Sequence, residues 1–448
     1  MTLTYIYLLC ISIFILSLRL MSSPKTAVQG GILSILGMCI AIFFDFFPLP
    51  QNALYIIITL TLGGIVGIFF GYTAKITKLP QMIAMFNGLG GCAAVFIAFG
   101  ETDIFPECSA AIPLGCTIGS ITFSGSLIAF LKLQEKIKIR IQKSNSIAAT
   151  NFILFIITLS LGINFCLNNS FYNIIILALV AFVFGITIVL PVGGADMPIV
   201  ISILNAFSGF ASAAIGFAQE NILMLAVGTI VGISGTILAY IMTKSMNTSV
   251  KNIFFQSKKL ADTTLVGDKN AIAGSPRDAA FIMQNSQKVI IVPGFGMAAA
   301  SAQHALKTMS DLLQNKFGVD VKYAIHPVAG RMPGHMNVLL AEADVDYKNV
   351  FAMEDINREF TTADVAYVIG ANDITNPEAK NNPSSPLYGM PVLDVVSAKT
   401  IFFVKRSLGK GYSGAENPLF FAPNTYMLYG DAKKVTEEID KYLEEESK

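Results

Sequence analysis

The sequence predicts two unlike parts: an α-helical polytopic membrane domain of about nine spans, then an α/β domain built on a doubly wound parallel sheet. Three observations carry this. Residues 1–245 hold only 10 Lys/Arg and 7 Asp/Glu, whereas 246–448 hold 21 and 23. Nine apolar runs in the first part are long enough for a helix to cross a bilayer, which takes roughly 20 residues. In the second part, short β-rich runs alternate with helical patterns, and one of them leads into a glycine-rich turn. The net charge of +1 averages two halves that sit in different solvents, and no surplus of basic charge favours nucleic acid as a partner.

In order, the spans are 3–20, 27–47, 53–73, 80–99, 109–131, 148–168, 171–190, 197–218 and 222–243. The first resembles a secretory signal only in its apolarity. It lacks a basic leading segment and a small-residue cleavage site, and Arg19 and Lys25 follow the apolar run, so it reads as a span. Loop charge then sets the orientation. Arg19/Lys25, Lys75/Lys78, the cluster Lys132, Lys136, Lys138, Arg140 and Lys143, and Lys244/Lys251 follow spans one, three, five and nine. Asp45, Glu101/Asp103/Glu107 and Glu220 follow spans two, four and eight. Positive charge stays on the cytoplasmic side, which puts the N-terminus outside and everything after Lys244 in the cytoplasm. All six cysteines (Cys10, Cys39, Cys92, Cys108, Cys116 and Cys166) fall in this half without CxxC spacing, as apolar packing residues do.

Residues 246–286, with Gly267, Gly274 and Pro276 and no sustained periodicity, read as a linker. The compact domain is expected over 287–448. Its strands are placed at 288–292, 321–325, 349–352, 366–369, 400–404 and 426–429, with the clearest helices at 298–316 and 432–446. Near-continuous apolar strands alternating with helices imply a parallel sheet covered on both faces. Ligands of such sheets bind at the carboxyl ends of the strands, where the unusual residues collect. Gly294-Phe295-Gly296-Met297-Ala298-Ala299 follows the first strand, 328–334 the second, Gly370 to Asp373 the fourth, and Lys405-Arg406-Ser407 the fifth. A strand, a glycine turn and a helix start form a phosphate-binding arrangement.

An NAD site usually has a carboxylate some 20 residues beyond this turn. Here the second strand ends in His326-Pro327, while Lys405-Arg406 offers adjacent cations suited to a 2′-phosphate, so the residues favour NADP(H). Arg331, between Gly330 and Pro333-Gly334, sits where backbone can approach a ligand, and Gly409-Lys410-Gly411-Tyr412 can fold over one. His304, His326 and His335 lack metal-ligand spacing and read as structural; no metal is expected. Polar residues inside spans are costly and often functional, which singles out Asn87, Ser126, Asp196 and Asn205. Helix-to-helix hydrogen bonding by Asn87 and Asn205, and helix capping by Asp196, are the plainer alternatives.

Together these residues resemble one family, the beta subunit of proton-translocating NAD(P) transhydrogenases. PGFGMA at 293–298, IHPVAGRMPGHMNVLLAEA at 325–343, VIGAND at 368–373, GMPVL at 389–393, KRSLGKGY at 405–412, NPLFF at 417–421 and GDAKK at 430–434 carry the resemblance. In the membrane half, Pro80-Gln81 ahead of Asn87-Gly88, SGSLIAF at 124–130 and GGADMPIVISILNAFSG at 193–209 are similar too. The resemblance implies NADP(H) contacts at Phe295; at Val328, Ala329, Gly330, Arg331, Met332 and Pro333; at Gly370, Ala371, Asn372, Asp373 and Ile374; and at Gly389 and Met390. It further implies contacts at Lys405, Arg406, Ser407, Leu408, Gly409, Lys410, Gly411 and Tyr412, and at Asp431 and Ala432.

The family binds NADP(H) reversed relative to an ordinary dinucleotide fold, so the role of Gly294 and Gly296 need not be the usual one. The resemblance also makes Asp373 the residue to watch as a sensor of the nicotinamide's charge. Hydride passes directly between two nicotinamides, so no catalytic side chain is expected from this chain. The sequence has one such glycine turn, and the family's alpha subunit supplies the NAD(H) site. The implied setting is a bacterial-type inner membrane, in contact with lipid, with a dimer of alpha–beta units. Better-known members carry a histidine near the position of Asn87, but residues 1–245 contain none. The implied activity is reversible hydride transfer between NAD(H) and NADP(H) coupled to proton movement. A transporter or channel gated by an NADP(H)-sensing domain, and a membrane-anchored dehydrogenase without proton coupling, are the other readings.

Overall fold

The computed structural model describes residues 2–23, 26–46, 52–74, 78–102, 110–134, 136–137, 144–193, 196–246, 248–255, 271–332, 334–385, 387–409, 411 and 413–445. Lys25, Lys75, Asp103, Glu107, Cys108, Lys138, Arg140, Lys143 and Gly267 lie outside the described residues. The chain divides into two compact units, one made mostly of the apolar helices and the other mostly of the residues after Tyr240.

Among the described residues, nine helices are long and apolar enough to cross a membrane. They are α1 (Thr2–Met21), α2 (Ala27–Asp45), α3 (Ala53–Thr73), α4 (Leu79–Glu101), α5 (Ala111–Leu133), α6 (Asn145–Asn168), α7 (Phe171–Val189), α8 (Met197–Ala218) and α9 (Ile222–Ser245). They match the nine runs read from the sequence. In a bilayer, lipid solvates apolar side chains as well as a neighbouring helix does, so close helix contact depends on small residues. Gly91 on α4 shows this against α5, since a Cβ there would stand 2.6 Å from the carbonyl oxygen of Gly119.

After the short α10 (Val250–Phe255) comes the sheet domain. Its strands are β1 (Ile272–Ala273), β2 (Lys288–Pro293), β3 (Asp320–Ile325), β4 (Val350–Ala352), β5 (Val365–Ile369), β6 (Thr400–Lys405) and β7 (Thr425–Tyr429). Every pairing is parallel, in the order β1-β7-β6-β5-β2-β3-β4. The helices are α11 (Pro276–Gln284), α12 (Phe295–Ala300), α13 (Gln303–Phe317), α14 (His335–Glu342), α15 (Met353–Ile356), α16 (Glu378–Asn381) and α17 (Ala432–Glu445). Val289 to Val292, Val365 to Ile369 and Ile401 to Val404 are all buried, the pattern of strands covered on both faces.

The six strands read from the sequence are present, and two details differ from the reading. First, a seventh strand, β1, lies within the stretch read as linker: Ile272 pairs with Tyr426 and Ala273 with Met427. It leads into α11, where the Ser275 hydroxyl accepts from Asp278 N–H and the Asp278 carboxylate accepts from Ser275 N–H, with Pro276 opening the helix. Second, the helix expected over 298–316 is two helices. Ser301 takes a left-handed conformation at φ 51° and ends α12. The two then bury different residues, Met297 and Ala298 on α12, Leu306, Met309 and Leu313 on α13.

One core residue is out of character. Asp440 on α17 is buried, and its Oδ1 has no hydrogen-bond partner. Burial, with Glu444 and Glu437 nearby, pushes its carboxyl up to about 8. The unfolded chain releases this proton near pH 4, so the folded protein holds an extra proton between about pH 4 and pH 8 and loses stability as pH rises through that window. Asp440→Asn is therefore expected to stabilise the domain by on the order of 2 kcal/mol at pH 8 and by much less at pH 4. Thermal unfolding of the full chain at the two pH values checks this; equal gains at both would contradict it.

Candidate functional site

β2 lies between β5 and β3, and the chain runs outward from it both ways, through β3 to β4 and through β5 to β6 and β7. This is a topological switch point, and the crevice opens at the carboxyl ends of β2 and β5. The glycine turn after β2 is clasped to the end of β5. Gly294 N–H donates to Ile369 O and Gly296 N–H to Gly370 O, both at 2.9 Å, and Met297 N–H donates back to Gly294 O at 3.1 Å. A Cβ on Gly296 would stand 2.6 Å from Gly370 Cα, and Gly370 itself has φ +66°. Three of the turn's N–H groups are thus engaged within the protein. Their glycines are required by backbone contact, which is a different reason from the phosphate cradle expected of the motif.

The loop after β3 is held by two neutral histidines. His326 Nε2–H donates to Pro391 O at 2.8 Å, while its Nδ1 accepts from Val328 N–H at 3.2 Å. Burial pulls its pKa down to about 4. His335, fully buried, accepts from Arg331 N–H at 3.1 Å, and burial together with the Arg331 charge pulls it down to about 4 as well. The Arg331 guanidinium lies 4.2 Å from the centre of the Phe295 ring, joining the β3 loop to the β2 turn. Val328 and Met332 are half-buried and Ala329 is buried beside them.

At the end of β5, Ala371 and Ile374 are buried, and the Asp373 carboxylate accepts from Ser413 N–H at 3.0 Å and Ser413 Oγ–H at 2.8 Å. With its amide oxygen turned to the next loop, Asn372 accepts from Gly411 N–H at 2.8 Å and from Lys405 at 3.1 Å. Lys405, at the end of β6, also donates to Gly409 O at 2.7 Å and lies 4.4 Å from the centre of the Phe420 ring. Burial pulls its ammonium down to about 8, with Asp373 acting in the other direction. Arg406 pairs with Asp431 at 2.8 Å and is 72% exposed, while Ala432 is buried behind it. Ser407, Leu408 and Gly409 are exposed. Gly389 N–H donates to Ala379 O at 2.8 Å, and Met390 is buried next to the Pro391 that holds His326.

The candidate residues of β2, β3, β5, β6 and β7 therefore form linked groups: Phe295 with Arg331, Asn372 with Lys405 and Gly411, Asp373 with the loop at 413, and Arg406 with Asp431. Pro333, Lys410 and Tyr412 lie outside the described residues. Sequence reasoning missed Ser413 and Phe420 as supports of this site. The first directly follows the glycine-rich KRSLGKGY run and the second lies in NPLFF, so the motifs marked the place without the role. Among the described residues, no three His, Cys, Asp or Glu side chains gather to hold a metal.

In the apolar helices, Asn87 is buried and its Nδ2 donates to Ile201 O on α8 at 3.3 Å. Ser126 is fully buried on α5, with Oγ lacking a partner, and stands close to Gly88, the neighbour of Asn87. Asn205 is half-buried, and its carbonyl accepts from Ser208 Oγ–H at 2.8 Å. Asp196 is half-buried one residue ahead of α8, where its N–H donates to Gly193 O at 3.2 Å.

Compared with known proteins, residues 3–442 match the family model described as NAD(P) transhydrogenase beta subunit. The chain belongs to the NAD(P) transhydrogenase beta-subunit family. Two proteins from Rhodospirillum rubrum, one of them assigned to a particular strain, are both named NAD(P) transhydrogenase subunit beta. Each is 48% identical over 452 residues, covering 97% of this chain and 97% of its own length. This transhydrogenase chain is thus an enzyme subunit and a multi-pass membrane protein whose second part is a Rossmann-like parallel sheet.

Proposed function

We propose that this chain binds NADP(H) at the carboxyl ends of β2, β3, β5 and β6. With NAD(H) held by an alpha subunit, it couples reversible hydride transfer between the two cofactors to proton movement across the membrane. The observation that carries the reading is that one family match runs from residue 3 to residue 442, through the apolar helices and the sheet domain alike. It favours an enzyme over a channel with a sensing domain.

The residues suit NADP(H). Its pyrophosphate and 2′-phosphate are strongly anionic, and Arg331 after β3 and Lys405 and Arg406 at the end of β6 bring three cations to the carboxyl edge of the sheet. Arg406, largely exposed and paired only at the rim with Asp431, can turn its planar fork to the 2′-phosphate. When bound, NADP(H) supplies the nicotinamide that gives or accepts hydride. The chain's own residues orient it and exclude water. In this reading Asp373 would register the ring's charge, cationic when oxidised and neutral when reduced, and its hydrogen bonds to Ser413 would pass it to that loop.

Residues 1–245 would carry the proton, with Asn87, Ser126, Asn205 and Asp196 on its path, and residues 287–448 the cofactor. The N-terminus would face outward and the cofactor domain the cytoplasm of a bacterial-type inner membrane, in a dimer of alpha–beta units. NADPH should reduce an NAD analogue when the full chain and an alpha subunit are mixed in detergent, and either alone should be inactive. NADP(H) binding without hydride transfer in the complete mixture would support the sensing-domain reading instead.

Lys405 gives a pH dependence. With a pKa near 8, it is cationic at pH 7 and mostly neutral at pH 9. A phosphate needs the cation, so NADPH affinity is expected to fall by roughly tenfold from pH 7 to pH 9, with proton uptake on binding at the higher pH. Lys405→Arg, which keeps its charge, should flatten that fall. Calorimetric titrations at both pH values decide it, and an equal fall in the variant would contradict the assignment.

A further inference from the structure

Glu101 and Gln219 join the ends of α4 and α8. Gln219 Nε2–H donates to Glu101 Oε1 at 2.6 Å, and Glu101 is only 8% exposed. A carboxyl buried at the end of a span is costly unless its charge is compensated or its proton is used. Around this end of α4 to α9, whose residues share a buried apolar cluster there, the other titratable groups among the described residues are Glu220 just after α8, Cys116 on α5, Cys166 on α6 and Tyr172 at the start of α7, and none is basic. Lys132 belongs to the opposite end, where Gln81 Nε2–H on α4 donates to Leu133 O at 3.2 Å.

Along the same two helices the lining changes character. Towards the opposite end it is polar: Asn87 bonds to Ile201 O, and Ser208 Oγ–H donates to Asn205 O at 2.8 Å. Between these groups and Glu101, the residues Ala94, Ala98, Ala211 and Ile215 form one buried apolar cluster. At 1.5 Å per residue, Asn87 and Glu101 stand about 21 Å apart along α4.

We propose that Glu101 is a proton-exchanging carboxyl at the end of the α4–α8 seam remote from Asn87, positioned by Gln219; this rests on the proton-coupled reading above. A clamp alone would be served by two neutral amides, whereas a carboxyl adds a proton that can leave. The Gln219 N–H can serve both forms, since it donates to a carboxylate oxygen, more strongly, and also to the carbonyl oxygen of the acid. The acid gives its proton to water, leaving carboxylate and hydronium, and the carboxylate takes one back from the solution on its side. The apolar cluster keeps the exchanged proton from Asn87 until that layer parts and admits water.

The test uses vesicles holding the full chain with its alpha subunit, as wild type, Glu101→Gln and Glu101→Asp. Glu101→Gln keeps the shape and a hydrogen-bonding partner for Gln219. It is expected to slow uncoupler-sensitive hydride transfer by roughly tenfold or more and to flatten its response to pH on the Glu101 side. Its NADP(H) affinity should stay within about twofold of wild type, and Glu101→Asp should restore part of the rate and of the pH response. If wild type couples and Glu101→Gln couples equally, this inference fails alone. If Glu101→Gln loses thermal stability and NADP(H) affinity together, and Glu101→Asp does not rescue it, Glu101 is a clamp and the inference also fails. If wild-type hydride transfer ignores the uncoupler, the proton-coupled reading fails first and takes this one with it.

Discussion

Replacing Lys405 and Arg406 together with glutamine is expected to weaken NADP(H) binding by about 10²–10⁴-fold, with NAD(H) binding to the assembled complex nearly unchanged. The estimate follows from two charge-assisted contacts, each worth roughly 1.5–3 kcal/mol. The structure separates the two residues. Arg406 is exposed and its pair with Asp431 lies at the rim, so its loss should cost little stability and read almost wholly as binding. Lys405 is half-buried, holds Gly409 O and lies over Phe420, so its loss should also loosen the loop after β6. Calorimetric titration of each single variant and of the double variant gives the split. Equal losses for NADP(H) and NAD(H) would overturn the 2′-phosphate assignment.

Gly370→Val is expected to abolish NADP(H) binding by dismantling the site's frame, with a loss of about 4 kcal/mol or more in domain stability. Gly370 sits at φ +66°, where a β-branched residue is strained, and a side chain there would collide with the backbone of Gly296 and Met297. That backbone is the clasp holding the β2 turn to the end of β5. Gly370→Ala should show a smaller loss of the same kind. Thermal unfolding of the full chain and NADP(H) titration report on the two effects, and a Gly370→Val protein that binds NADP(H) within about threefold of wild type would show that the clasp is dispensable.

Much of this frame was legible in the sequence for simple reasons. The Val/Ile-rich strands of the second half bury nearly every side chain they carry, and the apolar runs of the first half are long enough to cross a bilayer; local composition reports both directly. β1 was not legible because two residues are too few to show a period; only the Ser275–Asp278 capping pair marked the structure around it. The break at Ser301 was hidden because a single left-handed residue leaves the helical pattern on either side intact.

The site was legible as a set of strand ends and much less so as a set of contacts. Asp373 meets Ser413 across 40 residues, and His326 meets Pro391 across 65. Such pairings are made by the sheet order, which local patterns do not encode. The glycine turn illustrates the difference. Its sequence fits a phosphate cradle, yet Gly294 and Gly296 are glycines because Gly370 and Ala371 press against them.

The central claim is that hydride transfer at the strand ends and proton movement through the apolar helices are one process. It is tested most directly in sealed vesicles containing this chain and its alpha subunit, by following internal pH while NADPH reduces an NAD analogue. A pH change that tracks turnover and collapses with an uncoupler, together with acceleration of NADPH formation by an imposed proton gradient, is the predicted result. Hydride transfer at full rate with no pH change and no response to the gradient would contradict it.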